Sequence, residues 1–159
     1  MFDWKENHIM LKKRIWEILE LSKENDNPSK YFDYFISVLI LLNVVAIILE
    51  TEKALVIDYE AFFKYFEIFS IFIFSVEYLL RFWSCVSTKV YNNPVIGRIK
   101  YLFSPLAIID LIAIAPFYLT FFVVDTRVLR ILRLLRLLRI AKHFRYSNTF
   151  HIIIGTIEK

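Results

Sequence analysis

The stretch RVLRILRLLRLLRIAKHFR, residues 127–145, determines how the rest of the chain is interpreted. Every third residue is basic, and Leu, Ile or Val fills nearly every position between. The basic residues are Arg127, Arg130, Arg133, Arg136, Arg139, Lys142 and Arg145. As a helix at about 1.5 Å per residue, the stretch is roughly 27 Å long, close to the thickness of the hydrocarbon layer of a bilayer. Such a helix suits neither water nor lipid alone. The pattern therefore indicates a segment that moves charge through the electric field of a membrane.

The regular spacing of three distinguishes this segment from an ordinary amphipathic helix. Three residues advance an α-helix by about 300°, so successive basic residues drift by about 60° and wind around it. A helix that lies on a membrane surface needs one fixed polar face, with a spacing near 3.6. The pattern instead favours a helix that rotates and translates past fixed partners, or a 3₁₀ helix, in which the charges align. Nucleic-acid binding is a weaker alternative, because the intervening Leu pairs would then face water.

Long apolar runs account for the hydrophobic excess of the chain, which has 159 residues, 58% of them hydrophobic. The runs cover residues 34–49, 62–83, 102–124 and 128–144. Each is long enough, alone or with its flanks, to cross a bilayer. The sequence therefore predicts an all-α fold, an antiparallel four-helix transmembrane bundle. We place the spans at residues 32–50, 61–83, 101–124 and 126–146. We also expect Pro116 to kink or split the third span.

The distribution of charge predicts the orientation of the spans. Lys and Arg are concentrated before the first span and between the second and third, whereas the connection between the first and second is mainly acidic. By the positive-inside tendency, both termini lie in the cytoplasm of a multi-pass plasma-membrane protein. Residues 1–29 lack the compact apolar core of a signal peptide. They predict an amphipathic helix over residues 4–21, at the cytoplasmic face of the membrane or against a partner domain, and then a polar break.

The basic segment requires partners within the membrane. On insertion scales, each central Arg disfavours membrane insertion by about 2.5–3.5 kcal/mol, and each large apolar residue favours it by about 0.3–0.6 kcal/mol. Three or four deep arginines thus cost on the order of 10 kcal/mol, against about 5 kcal/mol gained from ten large apolar residues. The helix therefore needs acidic groups on neighbouring spans, or water-filled crevices, to hold it.

Acidic residues suited to this role are Glu50, Glu67, Glu77 and Asp110. The second and third spans run in opposite directions, so Glu77, late in one, and Asp110, early in the other, should meet in the inner half of the membrane. The other two belong near the outer end. Arg81 follows Glu77 by four residues and can pair with it along the helix. Phe74 lies one turn outward from Glu77 and is suited to close the path of the basic residues. Because this span contains many Phe, ordinary packing is the alternative role for Phe74. A static salt bridge is the alternative role for Glu77 and Asp110.

At these residues the chain resembles the voltage-sensor domain of prokaryotic voltage-gated potassium channels. The matching sequences are LET at 49–51, FSVEYLLRF at 74–82, IIDLIAIAPF at 108–117 and the basic segment. The resemblance covers residues 30–159 and implies a charge-transfer site of Phe74, Glu77 and Asp110, past which gating charges step. The principal gating charges it implies are Arg130, Arg133, Arg136 and Arg139. It implies that Glu67 is an outer countercharge and that Arg127 is an additional outer gating charge. Lys142 falls where the family often has a lysine in the series of basic residues, and Arg145 is implied to lie at or below the inner interface.

The resemblance also implies membrane voltage sensing coupled to an ion pore, with potassium as the expected ion. Such channels continue into two more spans and a re-entrant filter that these residues do not supply. We therefore expect a sensor domain cut from a longer, tetrameric channel, with the lipid bilayer and the absent pore domain as partners. A natural sensor-only protein is the lesser alternative. A sensor-only proton pathway typically has an acidic residue where Asn43 lies, and a static membrane anchor is a further alternative. Without applied voltage, Arg139 or Lys142 should lie nearest Glu77 and Asp110.

The sequence gives no indication of an enzyme. It contains no nucleophile–base pair, and its three histidines lie near the predicted interfaces without metal-ligand partners. The single Cys85 excludes an internal disulfide and a cysteine metal cluster. We therefore expect no catalytic residues, no metal, no cofactor and no nucleic-acid partner.

Overall fold

The computed structural model of the protein describes residues 4–19, 26–88, 91, 93–122 and 125–145. Over these ranges the secondary structure is helical and contains no strand. The all-α prediction is thus confirmed for the described part of the chain.

Two helices form the N-terminal part. Helix α1 (Trp4–Leu19) is the predicted N-terminal helix, and α2 (Asn27–Leu49) is the first long apolar helix. Pro28 lies in the first turn of α2, where its missing N–H would have no partner within the helix. The buried Ser29 Oγ donates to the carbonyls of Glu17 and Ile18 at 3.4 and 3.1 Å. This hydroxyl attaches the end of α1 to the start of α2.

Helix α3 (Lys53–Ser84) is the longest element of the described chain and continues into a short 3₁₀ turn, Cys85–Ser87. Its 32 residues extend about 48 Å at 1.5 Å per residue, more than the hydrocarbon layer of a bilayer. Tyr59 has non-helical φ and ψ of −124° and 23°, which mark a kink near the start of the helix. The part of α3 after this kink carries Glu67 and Glu77.

The third apolar region is bent well before Pro116, at residues 103–104. Helix α4 (Ile96–Leu102) and helix α5 (Pro105–Leu119) meet at 64°. Ser104 is extended and its Oγ accepts a hydrogen bond from the N–H of Ala107 at 3.3 Å, so a new helix begins there. Pro116 does not split the helix, because α5 continues through it to Leu119. Its missing N–H removes one hydrogen bond within the last turn of α5, where a helix tolerates the loss more easily than in its middle.

The basic segment is helical but changes type along its length. It consists of α6 (Thr126–Leu135), a 3₁₀ turn (Arg136–Arg139) and α7 (Ile140–Arg145). A 3₁₀ helix has three residues per turn and eclipses side chains three apart, which is the spacing of the basic residues. Residues 146–159, at whose end the resemblance implies the start of a linker helix, lie outside the described residues.

The helices surround a shared apolar core. Helices α2 and α5 both contact the basic segment, and α3 contacts both α2 and α5. The core residues are Ile36, Leu39, Ile40, Ile71, Phe74 and Ile114. By length and composition, α2 and residues 55–87 can each cross a membrane, and α4 with α5 forms a third candidate if the bent pair is one span. Large side chains such as Leu41 and Phe72 face outward and are well suited to lipid.

Candidate functional site

One face of α3 carries the acidic residues predicted for the site. Glu67, Ser70, Phe74, Glu77 and Arg81 follow one another at spacings of three and four residues. On an α-helix this spacing places side chains in one row. The row therefore presents, in order, a carboxylate, a hydroxyl, an aromatic ring, a second carboxylate and a guanidinium.

The far end of this row forms an ion cluster with residues from α5 and α7, here called the Glu77 cluster (Glu77, Arg81, Asp110 and Lys142). Lys142 Nζ lies 2.5 Å from Glu77 Oε2 and 3.6 Å from Asp110 Oδ1. Arg81 Nη1 lies 2.6 Å from Glu77 Oε1 and 3.0 Å from Asp110 Oδ2. The four side chains are at most 1% exposed. Two carboxylates thus face two cations, and every buried charge has opposite charge beside it.

Phe74 lies directly against the cation of this cluster. The side chain is 0% exposed, and Lys142 Nζ lies 4.4 Å from the centroid of its ring. A desolvated ammonium at this distance is attracted to the face of the ring. Phe74 is also one turn along α3 from Glu77, so the cation contacts the ring and the carboxylate together.

A second ion cluster lies at the other end of the row, here called the Glu67 cluster (Glu50, Glu67, Arg136 and Arg139). Glu67 lies 2.9 Å from Arg136 Nη1 and 3.1 Å from Arg139 Nη2. Glu50 lies 4.0 Å from Arg136 Nη1. An open crevice of about 520 Å³ is lined by Glu50, Glu67 and Arg136 among others. Water can therefore reach this cluster, unlike the Glu77 cluster.

Between the two clusters lie two polar residues that the sequence did not identify as partners of the basic segment. Asn43 Oδ1 accepts a hydrogen bond from Arg139 Nη1 at 2.9 Å, and Asn43 Nδ2 donates to Ser70 Oγ at 2.9 Å. Asn43 and Ser70 are 2% and 0% exposed. The signal in the sequence was spacing: Ser70 is in register with Glu67 and Phe74, and Asn43 lies two helical turns before Glu50.

Three successive basic residues therefore occupy successive positions along the row. Arg136 lies at the Glu67 cluster, Arg139 between Glu67 and Asn43, and Lys142 at the Glu77 cluster. The exposed Arg127 donates its backbone N–H to Asp125 Oδ1 at 2.8 Å at the start of α6. The side chains of the remaining basic residues lie outside the described part of the structure, namely Arg130, Arg133 and Arg145.

The C-terminal end of α1 also reaches the Glu77 cluster, which sequence reasoning missed. Arg81 Nε and Nη2 donate to the carbonyl of Leu19 at 3.3 and 2.9 Å. A second anchor is Arg14, whose two terminal nitrogens each lie 3.0 Å from a carboxylate oxygen of Asp26. These hydrogen bonds raise the pKa of the Arg14 guanidinium above its ordinary value. Helix α1 is thus attached to the bundle through Arg81, whose guanidinium also contacts the carboxylates of Glu77 and Asp110.

The titratable residues of the described chain do not resemble a metal centre. No group of three His, Cys, Asp or Glu side chains within it is placed to hold a metal ion. The carboxylates that do come together are occupied by Lys and Arg instead. Chemically, the arrangement can bind cationic side chains at fixed depths along one path.

Comparisons with known proteins identify a family and a relative. The family model described as ion transport protein matches residues 29–159. The "Putative potassium channel protein RPA4233" of Rhodopseudomonas palustris is 29% identical over 145 residues, which are 90% of this chain and 35% of that protein. The chain thus spans well under half the length of this curated relative.

Proposed function

The chain belongs to the ion transport protein family, and on that premise we propose that it senses membrane voltage by moving its basic segment past a charge-transfer site. With its apolar helices it is a multi-pass membrane protein. The proposed transfer site consists of Phe74, Glu77 and Asp110. The gating charges are Arg127, Arg130, Arg133, Arg136, Arg139, Lys142 and Arg145, and the other countercharges are Glu50, Glu67 and Arg81.

One observation carries this proposal. Basic residues spaced three apart occupy two acidic clusters on either side of the buried Phe74. A static salt bridge would require one cation for each cluster, whereas this segment supplies seven at equal spacing. A movement by three residues would place the next cation in each position with the same partners.

The proposed architecture follows the sequence prediction. Helices α2, α3, α4–α5 and α6–α7 form four antiparallel spans, and α1 is the interfacial helix that precedes them. The protein lies in the plasma membrane, and both of its termini face the cytoplasm. The Glu77 cluster then lies in the inner half of the bilayer and the Glu67 cluster in the outer half.

In this frame the structure corresponds to the depolarised state. Lys142, near the end of the basic segment, occupies the Glu77 cluster, so most of the basic residues lie on its outer side. For voltage sensors in general, one charge crossing the membrane is worth about 2.3 kcal/mol per 100 mV. Three or four charges thus give roughly 7–9 kcal/mol per 100 mV, and a shift from 1:99 to 99:1 requires about 5.5 kcal/mol.

The movement is proposed to open a pore in a longer, tetrameric channel. The linker after residue 144 would transmit it, and the name of the matched relative favours potassium as the ion. A pore domain is then the partner of this domain.

The test is charge movement by the chain in a voltage-clamped membrane. A dye on a cysteine at the exposed Phe122, in a Cys85→Ala background, reports the start of the basic segment. We expect a saturating, voltage-dependent signal without ionic current, and the same signal in the control Lys100→Gln, which alters an exposed charge on α4. Sustained proton current would indicate a proton pathway instead. A fluorescence signal and a charge record that do not respond to voltage would indicate a static anchor and refute the proposal.

A further inference from the structure

The Asn43 amide is held in one orientation by a chain of buried hydrogen bonds. Ser70 Oγ donates its only proton to the carbonyl of Phe66 at 2.8 Å, so toward Asn43 it acts as an acceptor. Asn43 Nδ2 donates to this oxygen and to the carbonyl of Leu39 at 2.8 Å. Both N–H groups of the amide are then used. The amide oxygen consequently has to face the basic segment, where it accepts from Arg139.

We propose that Asn43 and Ser70 form an uncharged station that binds a guanidinium in preference to an ammonium and thereby sets the outer limit of movement of the basic segment. Asn43 contacts the cation, and Ser70 is a positioning residue that orients the amide. This inference rests on the proposed voltage-sensing function.

The preference for a guanidinium follows from where the acceptors lie. Arg139 Nη1 donates to Asn43 on α2, Nη2 to Glu67 on α3 at 3.1 Å, and Nε to the carbonyl of Ala113 on α5 at 3.4 Å. Three different nitrogens thus reach three different helices. A guanidinium has its donors spread over a rigid planar fork, whereas an ammonium places all of its donors on one atom. A lysine at this depth would leave at least one of these three acceptors without its partner, which costs free energy.

Because of the order of basic side chains along the segment, this preference opposes outward movement beyond the observed register. In the observed register, Arg139 fills the station while Lys142, three residues later, fills the Glu77 cluster, which offers two carboxylates and a ring. One further outward step would bring Lys142 to the station. Inward steps instead bring arginines to it. The station therefore disfavours only the step beyond the observed state.

The decisive experiment is a double-mutant cycle on charge movement. Arg139→Lys should penalise the outward state alone, because in inward states this residue has left the station. We expect the outward-to-inward ratio at fixed voltage to fall about tenfold, as for the loss of a buried hydrogen bond to a charged group. In the Asn43→Leu background, which removes the amide at similar volume, the same substitution should change the ratio only about twofold or less.

Arg136→Lys is the matched control, because Arg136 pairs with Glu50 and Glu67 in the observed state and has passed the station after three inward steps, so it occupies the station in neither of the two end states. Its effect should be equal in both backgrounds. If Asn43→Leu does not fold, the cycle is run with Ser70→Ala, which frees the amide to rotate and should also reduce the effect of Arg139→Lys. An equal effect of Arg139→Lys with and without the station residue would overturn the station while leaving voltage sensing intact. Absence of charge movement in the unsubstituted chain would overturn both proposals.

Discussion

Asp110 shows how tightly the charges of the Glu77 cluster depend on one another. It lies 3.0 Å from Arg81 and 3.6 Å from Lys142, and its side chain is 0% exposed. In Asp110→Asn, two buried cations would share one carboxylate, and breaking such a pair typically costs about 3–5 kcal/mol. We expect a lower free energy of unfolding in lipid nanodiscs, or a shifted charge–voltage midpoint where the variant folds. Asp58→Asn, at an exposed position of α3, is the control. An Asp110→Asn chain with unchanged stability and midpoint would contradict its role as a countercharge.

Lys142 offers a test that depends on the state of the sensor. In the observed state it is buried between two carboxylates and Phe74, whereas after inward movement it would be hydrated. Lys142→Gln leaves a net negative charge in the Glu77 cluster of the outward state only, at a cost of about 3–5 kcal/mol. With about three charges moved, the charge–voltage midpoint should shift to more positive voltage by on the order of 50 mV. A shift to negative voltage would mean that the structure represents the inward state.

At the scale of elements, the Arg81 side chain connects α1 to the Glu77 cluster. Arg81 donates to both the Glu77 cluster and the carbonyl of Leu19. Arg81→Lys keeps the charge but loses the fork that serves these acceptors together, with an expected cost of about 1.5–3 kcal/mol. The emission of Trp16, which packs edge-to-face on Tyr101, should shift to the red as α1 detaches.

The measurement needs Trp16 as the sole tryptophan, so the other two, Trp4 and Trp83, are replaced by Phe. Arg98→Lys is the control, because Arg98 lies at the same end of the bundle, over the ring of Phe82 at 5.8 Å. Identical Trp16 emission in the Arg81→Lys chain and its parent would show that Arg81 does not hold α1.

The helices and the charged residues of the site could be inferred from the sequence because they leave strong periodic signals. Apolar runs gave the long helices, and the residues Glu77, Asp110 and Lys142 stood out as charges in apolar surroundings. The remaining features depend on contacts between distant parts of the chain. The bend at residues 103–104 arises where Ser104 caps a new helix, and the Leu19 carbonyl carries no side-chain signal at all. Asn43 and Ser70 are common types of residue whose role depends on which helices meet.

For the whole molecule, the amount of charge that crosses the field distinguishes a moving segment from a fixed one. Arg136 lies at the crevice-lined Glu67 cluster in the observed state, and an inward movement of three steps would carry it past Phe74. Arg136→Gln should therefore reduce the total charge moved per chain by about one elementary charge, with a proportionally shallower charge–voltage curve. Lys100→Gln is the control: this exposed residue lies on α4, outside the basic segment, so the charge moved should stay the same. Equal charge in both variants would mean that Arg136 does not cross the field and that the proposed path through the Glu77 cluster is wrong.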